Sequence, residues 1–263
     1  MELNLRGRIA LVTGASQGLG FAVARGLSRE GVRVALNSRN PEKLQRAAQA
    51  IESETGNEVK PFAFDVSEPG AADVLIEKVA QTFGGLDLLV ANAGGPPAGS
   101  FENFSDEDWQ NAVNLCFLSQ VRLIRAALPY LRNSSVASVL TVTSMSVKQP
   151  VQNLVLSNSV RLATIGLTKS LALELGNQGI RFNSILPGWT ETDRVINLMK
   201  HRAQSSGLSI EEETRKQSKE SPLGRMATPE EFANCAVFLL SPAASYLTGV
   251  MLSVDGGMYK GTF

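Results

Sequence analysis

The chain is expected to form an α/β fold: a doubly wound parallel sheet of about seven strands with helices on both faces. Three observations predict it. Short apolar runs alternate with longer helical patterns along the 263 residues. The first run, residues 9–13, is apolar without in/out alternation, as a strand covered on both faces of a parallel sheet requires. A glycine-rich turn, Gly14-Ala15-Ser16-Gln17-Gly18-Leu19-Gly20, then leads straight into a helical pattern.

The elements follow in order. After the strand at 9–13, residues 18–30 read as a helix that ends near Gly31. Residues 32–37 form the next strand. A helix over 41–54 has Asn40 as its N-cap and Pro41 at its first position. Strand 59–64, helix 71–83 and strand 86–91 continue the alternation. Residues 106–131 read as one long helix, opened by Ser105 with Asp108 three residues on. Strand 136–142, a long helix over 152–175 and strand 181–185 come next, then helix 230–240 and strand 250–254. Residues 190–221 break the rhythm. They are polar, charged and helix-prone, and they include the single histidine, His201. A segment this long beside the carboxyl end of a sheet suits a substrate lid. With no repeat, low-complexity tract or linker, one domain over residues 1–263 is expected, with the lid inside it.

Composition excludes several classes. Apolar residues make up 43% and charged residues 19%, and the formal net charge is zero, with 25 basic and 25 acidic side chains. A surface for nucleic acid or membrane would carry a basic excess, so neither partner is expected. Cys116 and Cys235 lie apart in apolar helical patterns, outside any metal-ligand spacing, so no metal site is expected. The first eight residues lack the apolar stretch of a signal peptide, and no apolar run nears the roughly 18 residues that span a bilayer. The expected location is cytoplasmic.

Several motifs share one theme. The turn Thr13 to Gly20 follows a buried strand and opens a helix. There Gly14 permits the tight turn, Gly18 lets backbone approach a pyrophosphate, and Gly20 lets helix pack on strand. Asn92-Ala93-Gly94, Asn114, Ser144, Pro187-Gly188 with Thr192, Ser245-Tyr246-Leu247-Thr248-Gly249 and Asp255-Gly256-Gly257 come after it. Together these resemble the short-chain dehydrogenase/reductase family from residue 5 to about residue 258, most closely its 3-oxoacyl-[acyl-carrier-protein] reductases and their sugar-dehydrogenase cousins. The resemblance implies a Rossmann-type fold and a nicotinamide dinucleotide bound by Gly14, Ser16, Gln17, Gly18, Leu19 and Gly20. It also implies that Asp65-Val66 meets the adenine and that Asn92-Ala93-Gly94 lines the ribose. Pro187, Gly188 and Thr192 would cover the nicotinamide. A homotetramer or homodimer acting on a small carbonyl or alcohol compound is implied as well.

Two positions set this chain apart. In the family a Tyr follows the catalytic Ser by thirteen positions, and a Lys follows the Tyr by four. Counting from Ser144, those positions hold Ser157 and Arg161, and Thr168-Lys169-Ser170-Leu171-Ala172 fixes the same register from downstream. A phenol ionises near pH 10, whereas an aliphatic hydroxyl is far more basic and shorter. Arg161 keeps a permanent charge and could hold the ribose, but it cannot shuttle a proton. The candidate catalytic set is therefore Asn114, Ser144, Ser157 and Arg161. Lys148, Glu191, Asp193 and His201 are further groups expected to border the pocket. At the end of the second strand, Ser38 stands where a carboxylate would select NAD(H), and Arg39 beside it can bind a 2′-phosphate, which favours NADP(H). The expected function is an NADP-dependent oxidoreductase on a ketone/alcohol pair, 3-oxoacyl thioester reductase-like, with an atypical proton donor. The alternative is a catalytically silent NADP(H)-binding scaffold or sensor.

Overall fold

A computed structural model describes residues 1–262, apart from the side chain of His201. One parallel sheet of seven strands runs in the order β3-β2-β1-β4-β5-β6-β7. The strands are β1 (Ile9–Val12), β2 (Arg33–Ser38), β3 (Val59–Ala63), β4 (Leu88–Ala91), β5 (Ser138–Val142), β6 (Arg181–Pro187) and β7 (Met251–Val254). The chain winds outward from β1 to β3, then returns to place β4 on the other side of β1. Val12 therefore pairs with Leu36 on one side and Val90 on the other. Ligands bind outside the carboxyl ends of strands at such a reversal point.

Side chains alternate between two cores because strand residues point to opposite faces. Val12, Val34 and Leu36 pack with Val23 and Leu27 of α1 (Gly18–Arg29), Leu44 and Ile51 of α2 (Pro41–Thr55), and Phe232 of α9 (Pro229–Leu240). Leu11, Leu89 and Val139 face the other way. They meet Leu75 and Val79 of α3 (Ala71–Phe83) and Leu123 and Leu131 of α5 (Ser119–Leu131). Each core side chain withdrawn from water contributes roughly 1.5–3 kcal/mol, so both layers are held to the sheet largely by this burial.

The long helix expected over 106–131 is divided. It runs as α4 (Asp106–Val113), a π turn at Asn114–Leu118, then α5. The widened turn is held by side chains. The Cys116 carbonyl accepts Gln120 Nε2 at 3.2 Å and Thr164 Oγ1 at 3.1 Å. Neither bond has a signature in hydropathy. The helix expected from 152 starts later, as α6 (Val155–Leu175). Asn153 sits at φ +61°, outside the helical region, and Asn158 closes the preceding turn by accepting from Val151 N–H and donating to Val151 O. Residues 190–221 fold largely as two helices, α7 (Asp193–Ser206) and α8 (Ile210–Ser218).

The ends of β1 and β4 are stapled together. Thr13 Oγ1 donates to Asn92 O at 2.7 Å and accepts Asn92 N–H at 2.9 Å. Asn92 Nδ2 reaches back to Thr13 O at 3.2 Å and Gly14 O at 3.3 Å. One threonine hydroxyl and one amide thus fix the two loops that frame the reversal point. Thr13→Val keeps the shape and removes the hydroxyl, which leaves the Asn92 N–H unpaired. A loss of about 1–3 kcal/mol in urea unfolding, with an unchanged m-value, is the expected result.

Candidate active site

The reversal point opens into a cavity of about 510 Å³. Its floor is the first loop, with Gly14, Gln17, Gly18, Leu19 and Gly20. Gly14 turns the chain at φ +59°. A Cβ on Gly20 would collide with the Gly14 carbonyl, so only glycine lets α1 start this close under the loop. Asn92, Ala93 and Gly94 form one wall, and Pro187, Gly188 and Thr192 the opposite one. A side chain at Gly188 would strike the backbone of Asp255, which places that wall hard against the chain beyond β7.

Ser144, Ser157 and Arg161 line the same cavity. Ser144 follows β5 and caps a short 3-10 turn, its Oγ accepting Ser146 N–H at 3.1 Å. Ser157 and Arg161 lie one turn apart on α6 and are both buried, at 8% and 7% exposure. Arg161 spans the crevice from below. Its Nη1 donates to Val142 O at 3.1 Å and Thr143 O at 3.2 Å, and its Nη2 donates to Gly94 O at 3.3 Å. One guanidinium therefore ties α6 to the ends of β5 and of the loop after β4. A planar fork of donors can do this and a point-like ammonium cannot match it. Asn114 opens the π turn, which packs against α6, and is not among the residues lining the cavity.

Three cations, Arg39, Lys43 and Arg46, follow the end of β2. Ser38 Oγ is buried and has no hydrogen-bond partner. Arg39 lies beside it, 74% exposed at the side chain, with Nη1 3.6 Å from Asp65 Oδ2. Burial would raise the Asp65 carboxyl, but bonds from Ser67 N–H and Oγ, with the Arg39 charge, outweigh it and hold its pKa below the usual value. The Val66 side chain is buried in the core with Leu75 and Leu89. A second, shallower cavity lies over Ser16, Gln17 and Gly18 and is walled by Lys43 and Arg46 of α2. Neither of these two cations forms an ion pair among the described residues.

Among the further polar groups, Asp193 lines the large cavity, and Lys148 and Glu191 do not. His201's side chain lies outside the described residues. Of the three tyrosines, Tyr246 is fully exposed and Tyr130 packs against the core. Lys148 of the same chain lies over the Tyr259 ring, with Nζ 5.3 Å from the ring centre. No tyrosine lines the cavity. Among the described residues no group of three or more His, Cys, Asp or Glu could hold a metal ion, and no helix is long and apolar enough to cross a membrane.

A family model described as enoyl-(acyl carrier protein) reductase matches residues 14–259. The chain belongs to the short-chain dehydrogenase/reductase family. As a member it is an oxidoreductase of that type. It is 33% identical to the 2,3-dihydro-2,3-dihydroxybenzoate dehydrogenase of Bacillus subtilis over 98% of both chains. It is 32% identical to the 3-oxoacyl-[acyl-carrier-protein] reductase FabG of Vibrio cholerae, over 98% of this chain and 99% of that one. The crystal structure of L-sorbose reductase from Gluconobacter frateurii, complexed with NADPH and L-sorbose, superposes with a TM-score of 0.95 at 33% identity, covering 99% of this chain and all of that one. An NADPH-bound short-chain oxidoreductase from Pseudomonas aeruginosa, described as containing an atypical catalytic center, superposes at 0.89 with 30% identity, over 97% and 98% of the two chains.

Several cavity residues of this short-chain dehydrogenase/reductase escape sequence reading. Trp189 and Arg194 line the large cavity, and Lys43 and Arg46 the small one. Lys43 and Arg46 are spaced three apart on α2, and that spacing put them on one face in advance. Arg194 lies in a stretch so polar that a solvated arginine was the ordinary reading.

Replacing Arg161 by Met should strip a charged donor from three carbonyls. An expected destabilisation of about 1.5–3 kcal/mol follows, read by urea unfolding at pH 7. Arg161→Lys should recover part of it.

Proposed function

We propose that this protein is an NADP(H)-dependent oxidoreductase acting on a ketone/alcohol pair, with Ser157 and Arg161 standing where the family's Tyr and Lys stand. The reading is carried by one observation: Ser144, Ser157 and Arg161 open into the same cavity as the glycine loop and the 187–192 wall. The residues present fit a dinucleotide. Ser38 Oγ, at the end of β2, and Thr143 Oγ1, in the cavity wall, are buried hydroxyls with no hydrogen-bond partner among the described residues. Ser38, Arg39, Lys43 and Arg46 would receive a 2′-phosphate, and Gly14, Ser16, Gln17, Gly18, Leu19 and Gly20 the pyrophosphate. Asn92, Ala93, Gly94, Pro187, Gly188, Thr192 and Arg161 would hold the nicotinamide half. The bound group supplies or accepts the hydride.

The chain's own residues do the rest. Ser144 Oγ binds the carbonyl oxygen. Arg161 presents a fixed positive charge beneath the site where an alkoxide develops. Ser157 is too short to reach as a phenol does, so the proton comes from a water held between Ser144 and Ser157. Loss of a positioned acid lowers a rate by about 10²–10⁴. Orientation in a well-formed crevice can supply a factor of that size or larger. Turnover at a reduced rate is the expected outcome, with a catalytically silent NADP(H)-binding scaffold as the alternative. Helices α7 and α8 act as the lid. Exposed Leu162 and Leu173 on α6, with exposed Tyr246 and Met251 near the sheet edge, support assembly with further copies of the chain into a homodimer or homotetramer.

The test is NADPH oxidation over a panel of 3-oxoacyl thioesters, free ketones and sugars. Wild type, Ser144→Ala and the Ser157→Tyr/Arg161→Lys double variant run side by side. Wild type should turn over, Ser144→Ala should lose about 10² in rate, and the double variant should gain nothing. Failure to bind either dinucleotide contradicts the reading. A silent wild type with an active double variant contradicts it too, and would establish a binding role. In fluorescence titration NADPH should bind about tenfold tighter than NADH or better, and Lys43→Ala/Arg46→Ala should erase most of that margin. Equal affinities would remove the NADP(H) assignment.

A further inference from the structure

Arg161 is not the only guanidinium in the cavity. Arg194, the second residue of α7, reaches across it to the loop after β4 and donates from Nη2 to Pro96 O at 3.3 Å. Its guanidinium lies against Gly95 so closely that a Cβ there would collide with it. Glycine at 95 is therefore a condition for this pose. Arg161 grips the same short loop from beneath, through Gly94 O. Two cations thus flank residues 94–96 and share one cavity.

Among the described residues no carboxylate lies within ion-pair distance of either guanidinium. Asp193 lines the cavity too, but it pairs with neither. The Cys116 thiol lies nearby, with Sγ 3.7 Å from Gly94 O, and burial pushes its pKa up, so it stays neutral. The crowding has a cost: desolvation, then the Arg161 charge, lower the pKa of Arg194. The remaining walls near this end include Met145, Val151, Leu154 and Trp189, which offer little polar competition. Arg194 spends one N–H on Pro96, which leaves most of its fork free to take two oxygens at once.

We propose that the cavity is built for an anionic substrate, an oxo acid or the matching hydroxy acid, whose carboxylate is received by Arg194 under the field of Arg161. This rests on the ketone/alcohol reading and narrows it: a free acid is preferred over its ester or thioester. Arg194 sets specificity, because it sits on the lid side of the cavity and closes on the carboxylate, while the carbonyl lies at Ser144.

The test is calorimetric binding to the NADP⁺-loaded protein of acetoacetate, 2-oxobutyrate and levulinate, each beside its methyl ester. At least one acid should bind about tenfold or more tightly than its ester. Arg194→Met should remove that advantage while dinucleotide affinity stays within about twofold. Gly95→Ala leaves Arg194 in place but denies it the pose, and should show the same loss. Both variants are checked for an unchanged melting temperature. Esters that match the acids, acids that do not bind, or variants that keep the advantage would overturn the proposal. A protein that takes no dinucleotide fails the ketone/alcohol reading instead. The same titrations without NADP⁺ then still decide whether the anion site exists.

Discussion

The bond pair between Thr13 and Asn92 holds the site together. Parallel strands present their carboxyl ends as a row, and only at the reversal between β1 and β4 do two neighbouring loops diverge to leave a crevice. That crevice has a defined width because Thr13 Oγ1 both donates to and accepts from the Asn92 backbone. The amide of Asn92 then braces the carbonyls on either side of the tight turn. The two loops that frame the reversal point inherit their positions from this staple. The glycine loop hangs from one side of it and the 94–96 loop from the other.

Arginine does comparable work elsewhere in the molecule. Arg181 at the start of β6 donates to the carbonyls of Leu239, Leu240, Ser241 and Ala244 and so satisfies the open end of α9. Arg161 repeats the device inside the crevice with three carbonyls. In both places a charge is taken out of water in exchange for several carbonyl oxygens in fixed positions. At Arg161 this gives a second consequence. The guanidinium is held rigid, and so its field at the cavity floor is fixed before any ligand arrives, which is the condition under which electrostatic stabilisation is most effective. Ser157, one turn earlier on α6, lines the same cavity.

Much of this was legible in the sequence. The seven strands and the glycine loop follow from apolar runs and turn chemistry, because those signals are local. Ser144, Ser157 and Arg161 were singled out by the resemblance to the family's catalytic pattern, and the fold brings all three to one cavity. The π turn at Asn114–Leu118 was not legible, since it depends on Thr164 reaching from α6 to the Cys116 carbonyl, a contact 48 residues distant. The late start of α6 depends on Asn153 and Asn158 closing a turn that periodicity does not register. Arg194 was hidden for a related reason. A charged residue in a polar helix carries no sign of which way it points, and only the bare backbone at Gly95 lets it lie in the cavity.

The central claim is that hydride moves through this crevice without a phenol. It is tested most directly by following the hydride itself. NADPH carrying deuterium on one face of C4 would be mixed with the protein and a ketone that turns over, and the alcohol analysed by mass. One deuterium per alcohol from one labelled face, and none from the other, is the expected result. Alcohol formed without the label from either face, or cofactor consumed with no alcohol at all, would contradict the account.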